Sequence, residues 1–197
     1  IKFHMKRGDL SYNKRMQGLG PAWQVLRYVF QKRGFMSLPS APMLAFLRTR
    51  DDMETPDVQM HIVPYAVKNY KKRLLHDFPG ITMAVYQLRP ESLGSIHIQS
   101  PLASEQPAIN FNFLSDQIDR DAMLGGVKKI RQIMDTEAMK KVRGDEFLPG
   151  REVESDDEIL NYIRNTAETA YHPIGTCRMG QGPGAVVDDR LRVHGLS

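Results

Sequence analysis

The segment 171–180, YHPIGTCRMG, contains the strongest candidate for a catalytic residue in the sequence. His172 stands directly before Pro173, and the ring of a proline restricts the preceding residue to extended or polyproline backbone geometry. A titratable imidazole on a stiff backbone suits general acid/base catalysis, which requires placement within hydrogen-bond reach of the reacting proton. The alternative is a structural histidine in the core or at a helix end, since cations are favourable at helix C-termini.

Other kinds of reactive site have little support in the sequence. The single cysteine, Cys177, excludes an internal disulfide framework and a cysteine-rich zinc site, and we expect it to be a small buried residue. The six histidines are scattered singly, so no metal site is predicted. The glycines 180, 182 and 184 lack the spacing of a dinucleotide-binding loop and precede a strand-like stretch, which predicts a turn.

Composition sets further limits on the class of protein. The chain has 197 residues, 41% of them hydrophobic, and 27 Lys and Arg against 23 Asp and Glu give a net charge of +4. This excess is mild, and the basic cluster Lys71, Lys72 and Arg73 after Lys68 is expected to be a solvated loop, so no nucleic-acid partner is predicted. No apolar run approaches the roughly 20 residues that span a bilayer, and no signal peptide is recognisable. We expect a cytoplasmic protein, or one peripheral to a membrane.

Hydrophobic periodicity predicts helices near both ends of the chain. Residues 21–34 carry an amphipathic stripe at helical spacing, with Pro21 in the first turn and Gly34 at the C-terminal cap: Ala22, Val25, Leu26, Val29 and Phe30. Asp116 is expected to cap a helix that runs to about residue 135, and a shorter helix is expected over 136–143. The sequence SDDE at 155–158 is a capping box that begins another helix.

Alternating patterns predict strands in the middle of the chain. They cover 56–64, 81–88, 95–100 and 108–113, and the second and third of these are expected to form a hairpin. Residues 43–47 are expected to be a short helix or irregular, and 68–79 a loop. Strands grouped between helices predict an α+β fold, with an antiparallel or mixed sheet flanked by helices.

The motifs also resemble a known family. YHPIGTCRMG followed by AVVDDRLRVHGLS resembles the C-terminal signature of the glucose-methanol-choline (GMC) oxidoreductases, which are FAD-dependent. TPDVQMHIVP, LRPESLGSIHIQS and PAINFNFLSDQIDRD resemble landmarks of the choline dehydrogenase branch. The resemblance runs from about residue 38 to 197. It implies a substrate-domain fragment, with 1–160 as a substrate-binding domain and 161–197 as a catalytic segment that leads back to an FAD-binding domain in the same parent chain.

The resemblance also implies roles for three residues. His172 would take the hydroxyl proton of an alcohol while hydride passes to FAD, producing an aldehyde. Tyr171 and His61 would line the substrate cavity, and a second catalytic residue is expected beyond Ser197. The alcohol stays open between choline, other primary alcohols and aryl alcohols, and the electron acceptor between oxygen and a quinone. The competing hypothesis is a non-catalytic α+β module that binds an acidic partner.

Overall fold

The structure, a computed structural model, describes residues 1–69, 72 and 74–196 of the chain. Packing divides it into two compact units, Ile1–Thr166 and Ala167–Ser197. The functional assignment expected for 1–160 and 161–197 stays a prediction, since compactness does not report on function.

The described strands of the first unit form one large sheet and two small ones. The large sheet is antiparallel throughout, with the order β2-β3-β6-β1-β9, while β4 pairs with β5 and β7 pairs with β8. The strands are β1 (Lys2–Met5), β2 (Met43–Leu47), β3 (Val58–Val63), β4 (Val67–Asn69), β5 (Leu74–Leu75), β6 (Gly80–Gln87), β7 (Ser95–His97), β8 (Ala108–Asn110) and β9 (Arg143–Leu148).

Four α-helices are formed by the described residues: α1 (Gly20–Gln31), α2 (Gln117–Met134), α3 (Glu137–Lys140) and α4 (Asp156–Thr166). The predicted caps of the two longer C-terminal helices are confirmed. Asp116 accepts a hydrogen bond from the Ile118 amide at 2.8 Å. In the capping box of α4, Ser155 Oγ accepts from the Glu158 amide and the Glu158 carboxylate accepts from the Ser155 amide. The α+β fold expected from the sequence is confirmed.

The core lies between one face of the large sheet and α2. Its buried side chains come from β1, β3, β6 and α2: Phe3, Met5, Met60, Ile81, Met83, Ile130 and Met134. Gly126 allows the helix to approach the sheet closely, because a Cβ at this position would lie 2.7 Å from a methyl group of Val85. A second cluster, formed by Val127, Ile159 and Ile163, joins α4 to α2. Removing this apolar surface from water stabilises the packing of the large sheet, α2 and α4.

Two sequence predictions about the sheet were wrong. Residues 43–47 form β2, a strand at the edge of the sheet, because they pair with β3 along their whole length. The hairpin expected between 81–88 and 95–100 does not form, since β6 pairs with β3 and β1 while β7 pairs with β8. Strand identity here depends on a partner distant in sequence, which local alternation does not specify.

The predicted helix over 21–34 forms, but it ends earlier and its apolar stripe is exposed. Lys32 takes the left-handed cap conformation, with φ of 53°, two residues before Gly34. Phe30 is 80% exposed and Val29 is 52% exposed, whereas Gln24 is the buried residue of the helix. Amphipathic spacing thus predicted the helix correctly but not what covers its stripe.

The segment 68–79, expected to be a loop, contributes Lys68 and Asn69 to β4 and the two residues of β5. Lys68 and Lys72 are exposed, whereas Lys71 and Arg73 of the basic cluster lie outside the described residues. None of the helices formed by the described part of the chain has both the length and the apolar character needed to cross a bilayer.

Candidate functional site

The segment that carries His172 lies in the second unit and is open to solvent. The side chains of residues 171–179 are all exposed, and Tyr171 is 81% exposed with φ of 58°. His172 does not lie at a helix end, because α4 already ends at Thr166. Cys177 is exposed rather than buried, so the expectation of a small core residue was wrong.

A turn centred on Asp188 organises the chain that follows this segment. Its carboxylate accepts hydrogen bonds from the amides of Arg190 and Arg192, both at 2.9 Å, and from Arg192 Nε at 2.8 Å. The hydrogen bond from the Arg192 side chain lowers the pKa of Asp188, and those from the two amides act in the same direction. Backbone bridges join Met179 to Val187 and Val187 to Val193. The end of the YHPIGTCRMG segment is therefore attached to a folded turn.

His61 lies in the first unit, on the middle of β3, where it meets two polar side chains. Its Nε2 atom lies 2.8 Å from Gln59 Nε2 and 3.2 Å from the hydroxyl of Tyr86 on β6. The His61 and Tyr86 rings also meet edge to face, with centroids 5.3 Å apart. We call these three residues the His61 group.

The His61 group lies on the face of the sheet opposite the core, because side chains alternate along a strand and Met60, its neighbour, is fully buried. Across from it on β2, Leu44 pairs with His61 and Phe46 pairs with Gln59. Both β2 side chains are more than half exposed. Burial raises the pKa of the Tyr86 hydroxyl. This face therefore presents an imidazole, an amide and a phenol beside exposed carbon surface.

Gln59 and Tyr86 were missed by the sequence analysis. The alternation along 56–64 places Gln59 on the same face as His61, two residues away, so this neighbour could have been found. The sequence contains no such signal for Tyr86, because this residue is 25 positions from His61 and reaches it only through the pairing of β3 with β6. The structure thus brings His61 together with Gln59 and Tyr86, while Tyr171 and His172 are neighbours within the second unit.

An apolar cavity of about 440 Å³ is a further feature of the first unit. Aromatic and aliphatic side chains line it, with Tyr12 and Phe35 stacked at 5.0 Å between ring centroids. The described residues that line it include no histidine, carboxylate or lysine: Tyr12, Met16, Phe35, Met36, Leu38, Pro39, Ser40, Tyr65, Val67 and Leu75. Such a lining can hold an apolar group but offers no general base near neutral pH. Among the described residues, no cluster of three or more His, Cys, Asp or Glu side chains could hold a metal ion.

Comparison with known proteins identifies the family. The family model described as GMC oxidoreductase matches residues 90–197, more than half of the chain. The chain is 38% identical over 169 residues to the alcohol dehydrogenase [acceptor] of Pseudomonas putida. The aligned region covers 86% of this chain and 30% of that protein. The chain is 36% identical over 169 residues to the oxygen-dependent choline dehydrogenase of Chromohalobacter salexigens, with the same coverage of 86% and 30%.

A solved structure agrees in fold. Formate oxidase from Aspergillus oryzae RIB40 matches 99% of this chain and 39% of its own, with a TM-score of 0.81 and 21% identity. The chain belongs to the GMC oxidoreductase family, so the resemblance found in the sequence is confirmed. It spans 30% of the length of the two curated relatives named above.

Proposed function

We propose that this chain is the substrate-binding part of an FAD-dependent alcohol oxidoreductase, similar to the choline dehydrogenases, and that the enzyme converts a primary alcohol to an aldehyde. The observation that carries the proposal is the segment YHPIGTCRMG, which lies inside the region matched by the family model and keeps His172 open to solvent. The two curated relatives, an alcohol dehydrogenase and a choline dehydrogenase, support an alcohol as the substrate.

In this function His172 accepts the hydroxyl proton of the alcohol. A side chain that takes a proton must be reachable by the substrate, and the exposed imidazole meets this condition. Loss of that proton leaves negative charge on the alcohol oxygen, which makes release of hydride from the adjacent carbon easier. FAD, when bound, supplies the hydride acceptor, which no amino-acid side chain provides.

The His61 group, with Leu44 and Phe46, has the chemical character needed to bind an alcohol that reacts with such a cofactor. The imidazole of His61 can bind and orient a hydroxyl oxygen. Leu44 and Phe46 add exposed carbon surface beside it, which suits the carbon skeleton of an alcohol and a flat aromatic ring system. His61 is therefore proposed to bind substrate.

The remaining assignments belong to the same proposal. Tyr171 is proposed to line the substrate site, since its exposed ring stands next to His172. The division into a substrate-binding domain at 1–160 and a catalytic segment at 161–197 is part of the proposal, as is an FAD-binding domain in the same parent chain. Membership of an oxidoreductase family removes the support for the alternative, a non-catalytic module that binds an acidic partner.

The test is the visible absorption spectrum of the full-length parent protein, recorded without oxygen before and after adding choline, aliphatic or aryl alcohols. We expect a flavin band that one class of alcohol bleaches, because hydride transfer reduces the cofactor. A matched ether that lacks the hydroxyl group serves as the control and is expected to leave the band unchanged. A colourless protein that FAD does not reconstitute, or a flavin band that no alcohol bleaches, would contradict the proposal.

A further inference from the structure

In the His61 group, two polar side chains meet the same nitrogen atom of the His61 ring. His61 Nε2 has two neighbours within hydrogen-bond distance, the side-chain nitrogen of Gln59 at 2.8 Å and the hydroxyl of Tyr86 at 3.2 Å. Gln59 and His61 both belong to β3, while Tyr86 comes from β6 and pairs with Gln59 in the register of the two strands. The contact is thus built from two adjacent strands of the large sheet.

The chemistry of the two neighbours decides where the proton of His61 lies. An amide nitrogen can donate a hydrogen bond but cannot accept one, so the Nε2 atom that it meets must carry a lone pair. The hydroxyl of Tyr86 can donate to the same atom, and because burial raises the pKa of this phenol, it keeps its proton at neutral pH. With Nε2 accepting, the proton of a neutral imidazole is on Nδ1.

We propose that Gln59 and Tyr86 are positioning residues that hold His61 as the neutral Nδ1–H tautomer in a fixed ring orientation, so that His61 donates a hydrogen bond through Nδ1 to the substrate oxygen. This inference rests on the proposed function, which places His61 at the alcohol. A preorganised donor aimed at an oxygen that gains negative charge stabilises the transition state. His61 thereby stabilises the alcohol oxygen as that oxygen loses its proton.

The tautomer is measured first, in the full-length FAD-loaded enzyme with ¹⁵N-labelled histidine. Two-bond ¹H–¹⁵N correlation spectra distinguish the Nδ1–H from the Nε2–H form, and the signal of His61 is assigned by its loss in His61→Ala. We expect Nδ1–H in the wild type and a mixture of both tautomers in Gln59→Met and Tyr86→Phe. An Nε2–H form in the wild type would mean that Gln59 presents its oxygen, and this result would overturn the proposal.

The second measurement tests whether Gln59 and Tyr86 act through His61. It is the rate of flavin reduction at saturating alcohol, recorded without oxygen. Each of Gln59→Met and Tyr86→Phe is expected to lower this rate about fivefold, the value of one hydrogen bond, with little change in the apparent dissociation constant. In a His61→Ala background the same changes are expected to cost less than about twofold, because a positioning residue has nothing left to position. Tyr162→Phe and Gln117→Met remove the same chemical groups elsewhere in the first unit and serve as controls.

The two measurements separate the two proposals. Losses that persist in full in the His61→Ala background would show that Gln59 and Tyr86 act on their own, which overturns their positioning role. A wild-type enzyme with Nδ1–H at His61 whose flavin no alcohol reduces would refute the proposed function, while the state of His61 held by its two neighbours would stand. Retention of FAD and an unchanged melting temperature in each variant exclude unfolding as the cause of a loss.

Discussion

In the first unit the carboxylate of Glu146 on β9 has no exposed side-chain surface and pairs with Arg131 on α2 at 2.7 Å. In the second unit the carboxylate of Asp188 pairs with Arg192 at 2.6 Å, but the arginine is 69% exposed. Both ion pairs organise backbone, since Arg131 also donates to the carbonyls of Gly150 and Val153. Only the first does so inside a packed core, where a charge that loses its partner cannot be solvated by water.

The two units differ in the interactions that stabilise them. The first unit rests on continuous apolar contact between the sheet and α2, so its ion pairs and buried carboxylates are coupled to global unfolding. The second rests on a short set of hydrogen bonds around Asp188 and leaves residues 171–179 exposed. We therefore expect substitutions in the second unit to change chemistry or local order, and substitutions in the core of the first to change the free energy of unfolding.

The largest expected effect is on activity, at His172. His172→Ala should lower the rate of flavin reduction in the parent enzyme by about 10²–10⁴-fold, the usual value of a lost general base. Its melting temperature should not change, because the side chain is exposed. The measurement is stopped-flow reduction without oxygen, followed at the flavin band.

The control for this substitution is His97→Ala, which removes an exposed imidazole from β7 and should leave the rate unchanged. A loss of less than about tenfold in His172→Ala would rule out a general base at this position. A lowered melting temperature would show that the second unit contributes to global stability, against the contrast drawn above.

The next largest effect is on the buried pair of the first unit. Arg131→Met should lower the free energy of unfolding by about 3–5 kcal/mol, because it leaves the buried Glu146 with the longer contact to Arg151 alone and removes two hydrogen bonds to carbonyl groups. Urea denaturation followed by circular dichroism measures the change.

Arg50→Met is the matched control, since the pair of Arg50 with Asp52 is largely exposed and surface pairs contribute about 0–1 kcal/mol. Equal losses in the two variants would mean that the burial of the Arg131–Glu146 pair does not matter. That result would break the contrast between buried and exposed pairs on which the comparison of the units is based.

A smaller effect is expected at Asp119, which is 1% exposed at the start of α2. Burial alone would raise its pKa, but hydrogen bonds from the side chain of Ser92 and the amides of Glu91 and Ser92 lower it overall. Asp119→Asn should therefore cost about 1–3 kcal/mol of unfolding free energy at pH 7, measured by urea denaturation.

The pH dependence of the stability difference tests whether folding lowers the pKa of Asp119. Because the pKa of Asp119 is lower in the folded than in the unfolded protein, its stabilisation is complete above about pH 4 and is lost as the pH falls through the folded pKa. The difference between wild type and Asp119→Asn should thus shrink in acid. Asp121→Asn, two residues on and exposed, should show neither change. A difference that grows in acid would show that Asp119 is protonated in the folded protein.

Local patterns predicted the parts of this fold that are determined locally. The alternation around His61 located β3, and the caps at Asp116 and Ser155 located the starts of α2 and α4 to within a residue. In contrast, 43–47 becomes a strand only through pairing with β3, and β9 went unnoticed because its neighbour in the sheet is β1, far away in sequence. These assignments depend on contacts that no window of sequence contains.

The candidate site divides in the same way. The motif around His172 could be read from the sequence because its residues are consecutive, and the family comparison supports that interpretation. The His61 group could not, since Tyr86 reaches His61 only through the register of β3 against β6. Sequence patterns also did not predict which apolar side chains are exposed. The stripe of α1, with Val29 and Phe30, has the spacing of a buried face but is exposed to solvent.

The smallest and most local effect is expected at Asp188 in the second unit. Asp188→Asn removes the charged partner of Arg192 and weakens the hydrogen bonds to the amides of Arg190 and Arg192. Faster amide hydrogen exchange at these two residues should follow, with no change in β3 or α2 and none in the midpoint of urea denaturation.

The same local order should respond to pH in the wild type. The side chain of Arg192 lowers the pKa of Asp188 below its unfolded value, so the protection of these amides is present at neutral pH and is lost as the pH falls through the folded pKa, below about 4. Asp189→Asn, whose side chain is exposed, is the matched control and should exchange as the wild type does. Faster exchange in β3 or α2 of Asp188→Asn would mean that the turn stabilises the core of the first unit. The exposed pair would then act as the buried one does, and exposure would not be what separates the two units.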